Sequence, residues 1–396
     1  SALMSGIMIK IAIYGLLRFI FDFLGGDLTL WWGVAVLALG SVSAITGVLY
    51  ALIENNIKRF LAYSSIENIG IILIAVGSAM IFMAGGSAPF AGLALFAGLL
   101  HTLNHGIFKS LLFMGAGAIH NATGLKDMEK MGGLAKTMPL TAVFFLVGTM
   151  AISALPPLNG FVSEWLVFQG LLHNLSIVDP MVKIIITISI ALLALTSALA
   201  VACFVKAFGI SFLALPRSPE AAGAKETGRT MLYGMSILAV FCFVLGLFPF
   251  LGSALIQPVL DSLRISSPLA VSGFSILPVE YLPFGVSPFT AAALFVGIVL
   301  IVNLFVIALW GKHKKRKSPT WACGRSIEPR MEYTATGLAM PFRLVFASIY
   351  RPTQNIERET LDGTGYLVKT IRYEEKIEPI FERYLYRPFI RAIETA

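Results

Sequence analysis

Long runs of apolar residues, separated by short polar stretches, dominate the chain as far as Trp310. A helix crosses the hydrocarbon core of a bilayer with about 20 apolar residues, at a rise of about 1.5 Å per residue. Eight runs predict transmembrane helices: Ala2–Ile20, Trp31–Ile53, Leu61–Met83, Phe90–Ala118, Leu140–Leu172, Val182–Leu213, Met231–Ile256 and Phe289–Trp310. The predicted fold class is an all-α polytopic membrane protein with about eight transmembrane helices.

Basic residues occupy every second connection between these runs. They follow the second, fourth, sixth and eighth runs: Lys58 and Arg59; Lys126, Lys130 and Lys136; Arg217, Lys225 and Arg229; and Lys312, Lys314, Lys315, Arg316 and Lys317. The alternate connections hold one basic residue, Arg264. Because cytoplasmic loops carry an excess of Lys and Arg, we expect the basic connections and the tail from Lys312 on the cytoplasmic side.

The run Phe90–Ala118 carries three titratable residues that a helix would place on one face. His101, His105 and Lys109 are spaced four residues apart, and this spacing stacks side chains along a helix. A charged residue at the centre of a transmembrane helix costs roughly 2.5–3.5 kcal/mol even on a low insertion scale. Three aligned groups favour a proton or cation path. The alternative is three polar side chains that neighbouring helices satisfy.

The run Leu140–Leu172 is long for a single span and contains Pro156, Pro157 and Gly160. Prolines remove backbone donors and interrupt a helix, so a discontinuous helix is predicted. Non-helical backbone at membrane depth is tolerated where protein covers it or where it lines a cavity, and many transporters build ion sites at such breaks. Glu164 lies about one turn beyond the break and is a candidate path residue, with Lys109, one span earlier, as its expected partner. The alternative is a proline kink beside a structural carboxylate.

Three further titratable residues lie inside predicted helices. Lys10 is in the middle of the first run, which favours a role in the path over a structural pair with a carboxylate. Lys206 lies nearer the cytoplasmic end of its run and is either a path residue or an anchor that reaches the surface. Glu67 is either an interfacial carboxylate or a member of the path.

Composition agrees with a membrane protein, since 57% of residues are hydrophobic and 13% are charged, against about 25% charged in soluble domains. The cysteines (Cys203, Cys242 and Cys323) form no CxxC motif, and no nucleotide-binding motif is present. We therefore expect no cofactor, metal or disulfide framework in this chain.

The net charge is +8, of which the tail from Lys312 carries +6. Without a nucleic-acid motif, this charge favours a membrane surface over nucleic acid. Within the tail, Ala335–Tyr350 is expected to lie on the membrane or on a partner, and Glu374–Ala396 is predicted as a docking helix broken by Pro379 and Pro388. The chain starts at Ser1 inside an apolar run, so we expect it to be the later part of a longer protein.

Four segments, IKIAIYGLLRF, NNIKRFLAYSSIENIG, HTLNHGIFKSLLFMGAGAI and ALPPLNGFVSEW, resemble the antiporter-like membrane subunits of respiratory complex I. That family includes the large subunits of Mrp-type sodium/proton antiporters and the membrane arms of group 4 nickel–iron hydrogenases. The resemblance covers about residues 1–256. The tail, with WACG and EPRMEYTATGLAMPFRLVF, is most similar to hydrogenase component B and the membrane subunit of formate hydrogenlyase.

This resemblance implies two inverted five-helix repeats, each with a broken helix and a half-channel for protons. Residues 1–20 would be the last helix of the first repeat and 31–213 the second repeat, followed by further helices over 231–311 and a cytoplasmic tail over 312–396. Lys10 matches the family's central lysine, Lys109 with His105 the connecting residues, and Glu164 the terminal residue at the broken helix. His101, Lys206 and Glu67 are weaker members of the predicted path.

The expected function is that of a non-redox subunit of an inner-membrane complex, which moves protons as partner subunits transfer electrons. Nickel–iron and iron–sulfur centres are expected in soluble hydrogenase-type partners, and other membrane-arm subunits are expected beside this chain. Two alternatives stay open: a sodium/proton antiporter subunit, and a passive membrane anchor of a hydrogenase. Whether the chain counts as part of an enzyme is also open.

Overall fold

A computed structural model of the chain forms two compact units, Ser1–Ala335 and Thr336–Ala396. It describes residues 1–25, 28–172, 179–265, 269–272, 275–278, 288–310, 321–325, 327–351, 353–360, 368–377, 384 and 386–394.

The first unit is almost entirely helical. Its N-terminal helix consists of α1 (Ile9–Leu17) between π-helical turns at Met4–Met8 and Arg18–Leu24. The following helices are α2 (Leu30–Ile53), α3 (Ile57–Ala84), α4 (Ala88–Thr123), α5 (Leu134–Thr137), α6 (Pro139–Ile152), α7 (Asn159–Leu172), α8 (Pro180–Phe212), α9 (Pro219–Ala222), α10 (Arg229–Leu247), α11 (Phe250–Ser262) and α12 (Pro288–Trp310). Short 3₁₀ turns at Met128–Lys130 and Pro329–Met331 complete the helical elements.

Six described helices are long and apolar enough to cross a membrane: α2, α3, α4, α8, α10 and the Thr290–Leu309 part of α12. The N-terminal helix and the pair α6 and α7 account for the two other predicted spans. The fold class predicted from the apolar runs is therefore confirmed. The run Met231–Ile256, predicted as one helix, is instead divided at Pro249 into α10 and α11, because a proline cannot donate to the preceding turn.

The discontinuous helix lies where the prolines predict it. α6 ends at Ile152 and α7 begins at Asn159, and Ala154 between them has a left-handed backbone with φ of 50°. Gly246 of α10 packs against this connection, and a Cβ at that glycine would lie 2.7 Å from the carbonyl carbon of Leu158. Protein backbone thus covers the non-helical segment, as membrane depth requires.

Glycines bring the backbones of α2 and α3 into direct contact. A Cβ on Gly40 of α2 would lie 2.7 Å from the backbone nitrogen of Ile74, and one on Gly70 of α3 would lie 2.8 Å from the Cα of Ala44. Small residues of this kind allow the close approach that stabilises helix pairs in membranes. The contact fixes α3, and with it the buried polar residues that α3 carries.

We expect Gly40→Leu to destabilise the bundle, because the new side chain has no space between α2 and α3. Overpacking of this kind costs roughly 1–3 kcal/mol, which should appear as a lower midpoint of thermal unfolding in detergent. Gly209→Leu in α8 is the matched control, since nothing lies within 4 Å of a Cβ at that position. Equal midpoints for the two variants would contradict the proposed role of the α2–α3 contact.

The first three basic connections meet at one end of the bundle. The backbone nitrogen of Ile57 donates to the carbonyl of Lys126 at 2.9 Å, and that of Gly133 donates to Leu213 at 2.7 Å. The guanidinium of Arg217 donates to the carbonyl of Met131 at 3.0 Å. The loops that carry the excess basic residues therefore share one side of the helical unit, which is the arrangement that their alternation predicts.

Two β-hairpins were missed by the sequence analysis. In the first unit, β1 (Leu269–Ser272) pairs antiparallel with β2 (Ser275–Pro278). In the second unit, β3 (Thr353–Thr360) pairs antiparallel with β4 (Val368–Lys376). Both hairpins lie outside the membrane-spanning helices, so they do not alter the fold class.

The second unit also contains α13 (Ala335–Val345, which begins at the last residue of the first unit), α14 (Ala347–Tyr350) and α15 (Arg387–Glu394). The prediction of a helix from Glu374 is wrong at its start, because residues 374–376 belong to β4. Short mixed patterns fit either period, and pairing with β3 decides for a strand. Pro388 lies at the start of α15, whereas Pro379 lies outside the described residues.

Candidate proton path

Polar and titratable side chains are concentrated inside the first unit, where α1, α3, α4, α7 and α8 meet. Seven of them are almost completely buried, with at most 5% of each residue exposed: Glu67, Asn68, His101, Asn104, His105, Lys109 and Glu164. Burying such groups is costly unless they are hydrogen-bonded or paired. Each of these buried groups therefore needs either a partner or a function that accounts for its burial.

The N-terminus of α7 is attached to the middle of α4 by a pair of asparagines. Asn104 Nδ2 donates to the carbonyl of Asn159 at 2.8 Å, and Asn159 Nδ2 donates to Asn104 Oδ1 at 3.2 Å. Asn104 Nδ2 also donates to the hydroxyl of Ser163 at 3.1 Å. The break in the helix is thus positioned directly against the helix that carries the two histidines.

His101 connects α3 to α7 through hydrogen bonds from both of its ring nitrogens. Nε2 lies 3.2 Å from Asn68 Oδ1, and Nδ1 lies 3.0 Å from the hydroxyl of Ser163. Since the amide oxygen of Asn68 only accepts, Nε2 carries a proton in this arrangement. Nδ1 can then accept from Ser163 or, when the ring is doubly protonated, donate to it. His101 is thus placed to pass a proton along the α3–α7 contact.

His105 stacks on His101 with ring centroids 6.5 Å apart and planes inclined by 7°. Within the described part of the chain, neither ring nitrogen of His105 has a hydrogen-bond partner, although the residue is fully buried. Buried polar groups are normally satisfied. An imidazole held by packing alone can turn toward successive partners, which suits a relay group.

Lys109 is fully buried and is held by α3. Its ammonium donates to the carbonyl of Leu61 at 2.8 Å and to the hydroxyl of Ser64 at 2.5 Å. Lys109 also interacts electrostatically with Glu67, one turn further along α3. These contacts fix the position of the third member of the row predicted from the spacing of His101, His105 and Lys109.

Lys10, in the N-terminal helix, is half-buried. Its ammonium donates to the carbonyl of Ser5 at 2.6 Å, and the hydroxyl of Ser5 lies 2.6 Å from that of Ser65 in α3. Lys10 interacts electrostatically with both histidines and with Lys109. The structure therefore brings Lys10 to the same cluster as the residues of α4.

Glu164 extends from α7 toward α8, where its carboxylate accepts a hydrogen bond from Ser197. It also lines a cavity of about 280 Å³ together with Ser153 and Ala154 from the break, Trp165, Phe168 and other residues of α7 and α8. A cavity that reaches both the carboxylate and the interrupted backbone fits the role predicted for the broken helix. The direct Glu164–Lys109 partnership expected from their neighbouring spans is not observed among the described residues: Glu164 accepts from Ser197, and Lys109 donates to α3.

Lys206 is tied to the C-terminus of α2. It is buried, and its ammonium donates to the carbonyls of Leu52 and Glu54 at 2.6 and 2.8 Å. It also lies 5.8 Å from the centre of the Phe60 ring. A cation at a helix C-terminus satisfies carbonyls that lack intrahelical donors. Lys206 therefore caps a helix inside the protein and does not reach the surface, as the anchor hypothesis required.

We expect Lys206→Met to lower stability, since the Leu52 and Glu54 carbonyls would lose a charged donor. Hydrogen bonds to charged groups contribute roughly 1.5–3 kcal/mol, which thermal unfolding of the solubilised protein would detect. Lys183→Met, at a half-buried lysine near the start of the same helix, serves as the control. If Lys206→Met left stability at the control level and reduced proton movement instead, Lys206 would belong to the path.

Four residues of the site lie outside the path predicted from the sequence. Asn104 and Asn68 adjoin predicted site residues in the chain, so a systematic search for amides beside His105 and Glu67 would have found them. Ser163 and Ser197 are ordinary serines in apolar helices, where such residues commonly bond their own backbone. Only the folded arrangement shows that they contact His101 and Glu164.

Within the described residues, no group of three or more His, Cys, Asp and Glu side chains is placed to hold a metal ion. Cys203 and Cys242 are buried and Cys323 is exposed, and all three are free thiols.

Comparison with known proteins shows what the part of the chain that holds this site resembles. The sequence profile of the transmembrane family of NADH:quinone oxidoreductase and the Mrp antiporter matches residues 1–191. That segment contains Lys10, Glu67, both histidines, Lys109, the break and Glu164. Over these residues the chain is similar to this family.

Two relatives extend the similarity to the tail. The chain is 39% identical to hydrogenase-4 component B of Escherichia coli, an alignment covering 100% of this chain and 59% of the relative. It is 37% identical to formate hydrogenlyase subunit 3 of the same organism, over 89% of this chain and 55% of that protein. The chain thus spans little more than half the length of these relatives.

A solved structure shows the same fold. A chain of the membrane-bound sulfane sulfur reductase, an archaeal respiratory membrane complex, superposes with a TM-score of 0.68 at 24% identity, covering 88% of this chain and 54% of that one. The helical fold found here therefore also occurs in a chain of that complex.

Proposed function

We propose that this chain is a proton-translocating membrane-arm subunit of a redox-driven complex of the hydrogenase and complex I type. One observation carries the proposal: titratable groups from three helices are gathered beside an interrupted helix with a cavity. These groups are the half-buried Lys10 and the buried His101, His105, Lys109 and Glu164. Placing so many titratable groups inside a membrane costs free energy, and helix packing alone does not require them. The family and its hydrogenase relatives support the same function.

In this mechanism, protons move by short transfers between neighbouring groups. A carboxylic acid in a dry site holds its proton, and approach of water or of positive charge favours its release. Charge on Lys109 therefore acts on Glu164 through the intervening cluster, and the cavity beside Glu164 provides the route toward solvent. Histidine serves as the intermediate because it both accepts and donates.

The chain itself supplies no redox chemistry in this proposal. Soluble hydrogenase-type subunits would carry the nickel–iron and iron–sulfur centres, and other membrane-arm subunits would flank the helical unit. Residues 31–213 would form one antiporter-like repeat, and 312–396 would extend into the cytoplasm from the inner membrane.

A second candidate function is sodium/proton exchange, because the matching family also includes the Mrp antiporter. Dependence of proton movement on sodium would distinguish it, since a redox-driven pump needs electron flow and no sodium. A passive anchor, the third possibility, would need none of the titratable residues.

Glu164→Gln is the main test of the path. The amide preserves size and the hydrogen bond from Ser197 but does not titrate, so assembly should persist while proton movement into vesicles falls by roughly 100-fold, as for other proton-transfer groups. Glu220→Gln, at an exposed carboxylate in α9, should leave the rate unchanged. Wild-type proton movement by the purified, reconstituted Glu164→Gln complex would remove Glu164 from the path.

Cysteine labelling tests the orientation of the bundle. After replacement of the exposed Cys323 by serine, a membrane-impermeant maleimide should reach Ala84→Cys, at the end of α3, from outside intact spheroplasts. Glu220→Cys lies in a basic connection and should react only after permeabilisation, because that side is cytoplasmic in the proposal. The reverse labelling pattern would show that the bundle has the opposite orientation in the membrane.

A further inference from the structure

Glu67 is a buried carboxylate to which the proposed path assigns no defined step. Only 1% of the residue is exposed, and its Oε2 has no hydrogen-bond partner within the described structure. A buried polar atom without a partner is rare in native proteins and points to a functional cause. Glu67 lies inside α3, so the interfacial position considered from the sequence does not apply.

The packing around Glu67 places it at the centre of the helical unit. On one side α2 approaches so closely that a Cβ on Gly47 would lie 2.9 Å from the Cα of Glu67. On the same face of α3, one turn earlier, Ser64 holds the ammonium of Lys109 at 2.5 Å. The carboxylate interacts electrostatically with Lys109 on α4 and with Glu164 on α7. Asn68, the next residue of α3, is joined through His101 to Ser163, the residue before Glu164, so α3 and α7 meet at the level of both carboxylates.

The contacts of Lys109 argue against a simple structural ion pair. Its ammonium donates to Ser64 and to the carbonyl of Leu61, and none of the ion pairs among the described residues joins it to Glu67. A purely structural counter-ion would be expected to share a direct hydrogen bond with the lysine, since burial of both charges is otherwise uncompensated. The carboxylate of Glu67 is instead left able to face either neighbour.

We propose that Glu67 carries the proton between Lys109 and Glu164. In the first step, an N–H bond of the Lys109 ammonium breaks and an O–H bond forms on Glu67, leaving a neutral amine and a neutral carboxylic acid. In the second step, the O–H bond of Glu67 breaks and one forms on the Glu164 carboxylate, which restores the Glu67 carboxylate. The inference rests on the proposed function. It explains how a proton could pass between Lys109 and Glu164, for which the predicted direct contact is absent.

The test compares three variants of the complete complex in vesicles, with proton movement and partner redox turnover measured together. Glu67→Gln should assemble and lower proton movement roughly 10- to 100-fold, in the range of a lost proton-transfer group. Glu67→Asp keeps the titrating group on a shorter side chain and should restore a substantial part of the rate. Ser78→Ala, in the same helix, is the control and should behave as wild type, because the native Ser78 hydroxyl bonds only the backbone of its own helix. Asn68 is unsuitable as a control position, although it adjoins Glu67, because its side chain hydrogen-bonds His101.

A double variant separates a shared step from independent effects. If Glu67 and Lys109 act in one transfer, Glu67→Gln combined with Lys109→Met should be no slower than the slower single variant. If Glu67→Gln fails to assemble, the shorter pair Glu67→Asp and Glu67→Asn decides: a rate that Asp retains and Asn loses supports the proposal, and equal rates in the two assembled variants overturn it.

The failure of this inference is distinguishable from failure of the proposed function. Loss of proton movement in Glu164→Gln with full activity in assembled Glu67→Gln would overturn the role of Glu67 and leave the path standing. Full activity in both variants would overturn the path itself.

Discussion

Every backbone polar group inside a membrane must find a partner within the protein, and this constraint organises the chain around its interrupted helix. The prolines between α6 and α7 break the regular hydrogen bonding in the middle of the unit. Asn104 then supplies a donor to the carbonyl at the start of α7, and Gly246 allows α10 to cover the connection. Asn104 belongs to the same helix as His101 and His105, so the contact that stabilises the break also positions the candidate path residues.

Close helix packing is the second requirement, because it removes water from the groups that carry charge. Glycines let α2 touch α3 along its length, which buries Glu67 and brings Ser64 against Lys109. Electrostatic interactions are stronger in such a medium than in water. Two lysines, two histidines and two carboxylates within one dry cluster can therefore influence one another over several helices, whereas surface charges would be screened.

Much of the fold could be predicted from the sequence because each membrane helix consists of a long run of apolar residues. The alternation of basic connections predicted loops that meet at one end, and Pro156 and Pro157 predicted the break. The division of the seventh run at Pro249 was foreseeable by the same reasoning and was missed. The two hairpins were not foreseeable in this way, since β1 and β2 have only four residues each and β3 and β4 contain few apolar residues.

For the site, spacing alone could group His101, His105 and Lys109, since one helix fixes their relation. Contacts between helices were beyond sequence reasoning: the partner of Glu164 is Ser197 rather than Lys109, and Lys206 is bonded to the end of α2. Helix rotation and depth decide these contacts, and a single sequence gives neither. The weaker standing first given to Glu67 and His101 reflects the same limit, because their importance arises from what α4 and α7 bring to them.

The central claim is that buried carboxylates of this chain gain and lose protons as the complex turns over. Infrared difference spectroscopy of the assembled complex measures this directly, through the C=O stretch of a protonated carboxyl group. The account predicts a carboxyl band that changes during turnover and is absent in Glu164→Gln. Turnover with proton movement and an unchanged carboxyl region would contradict it.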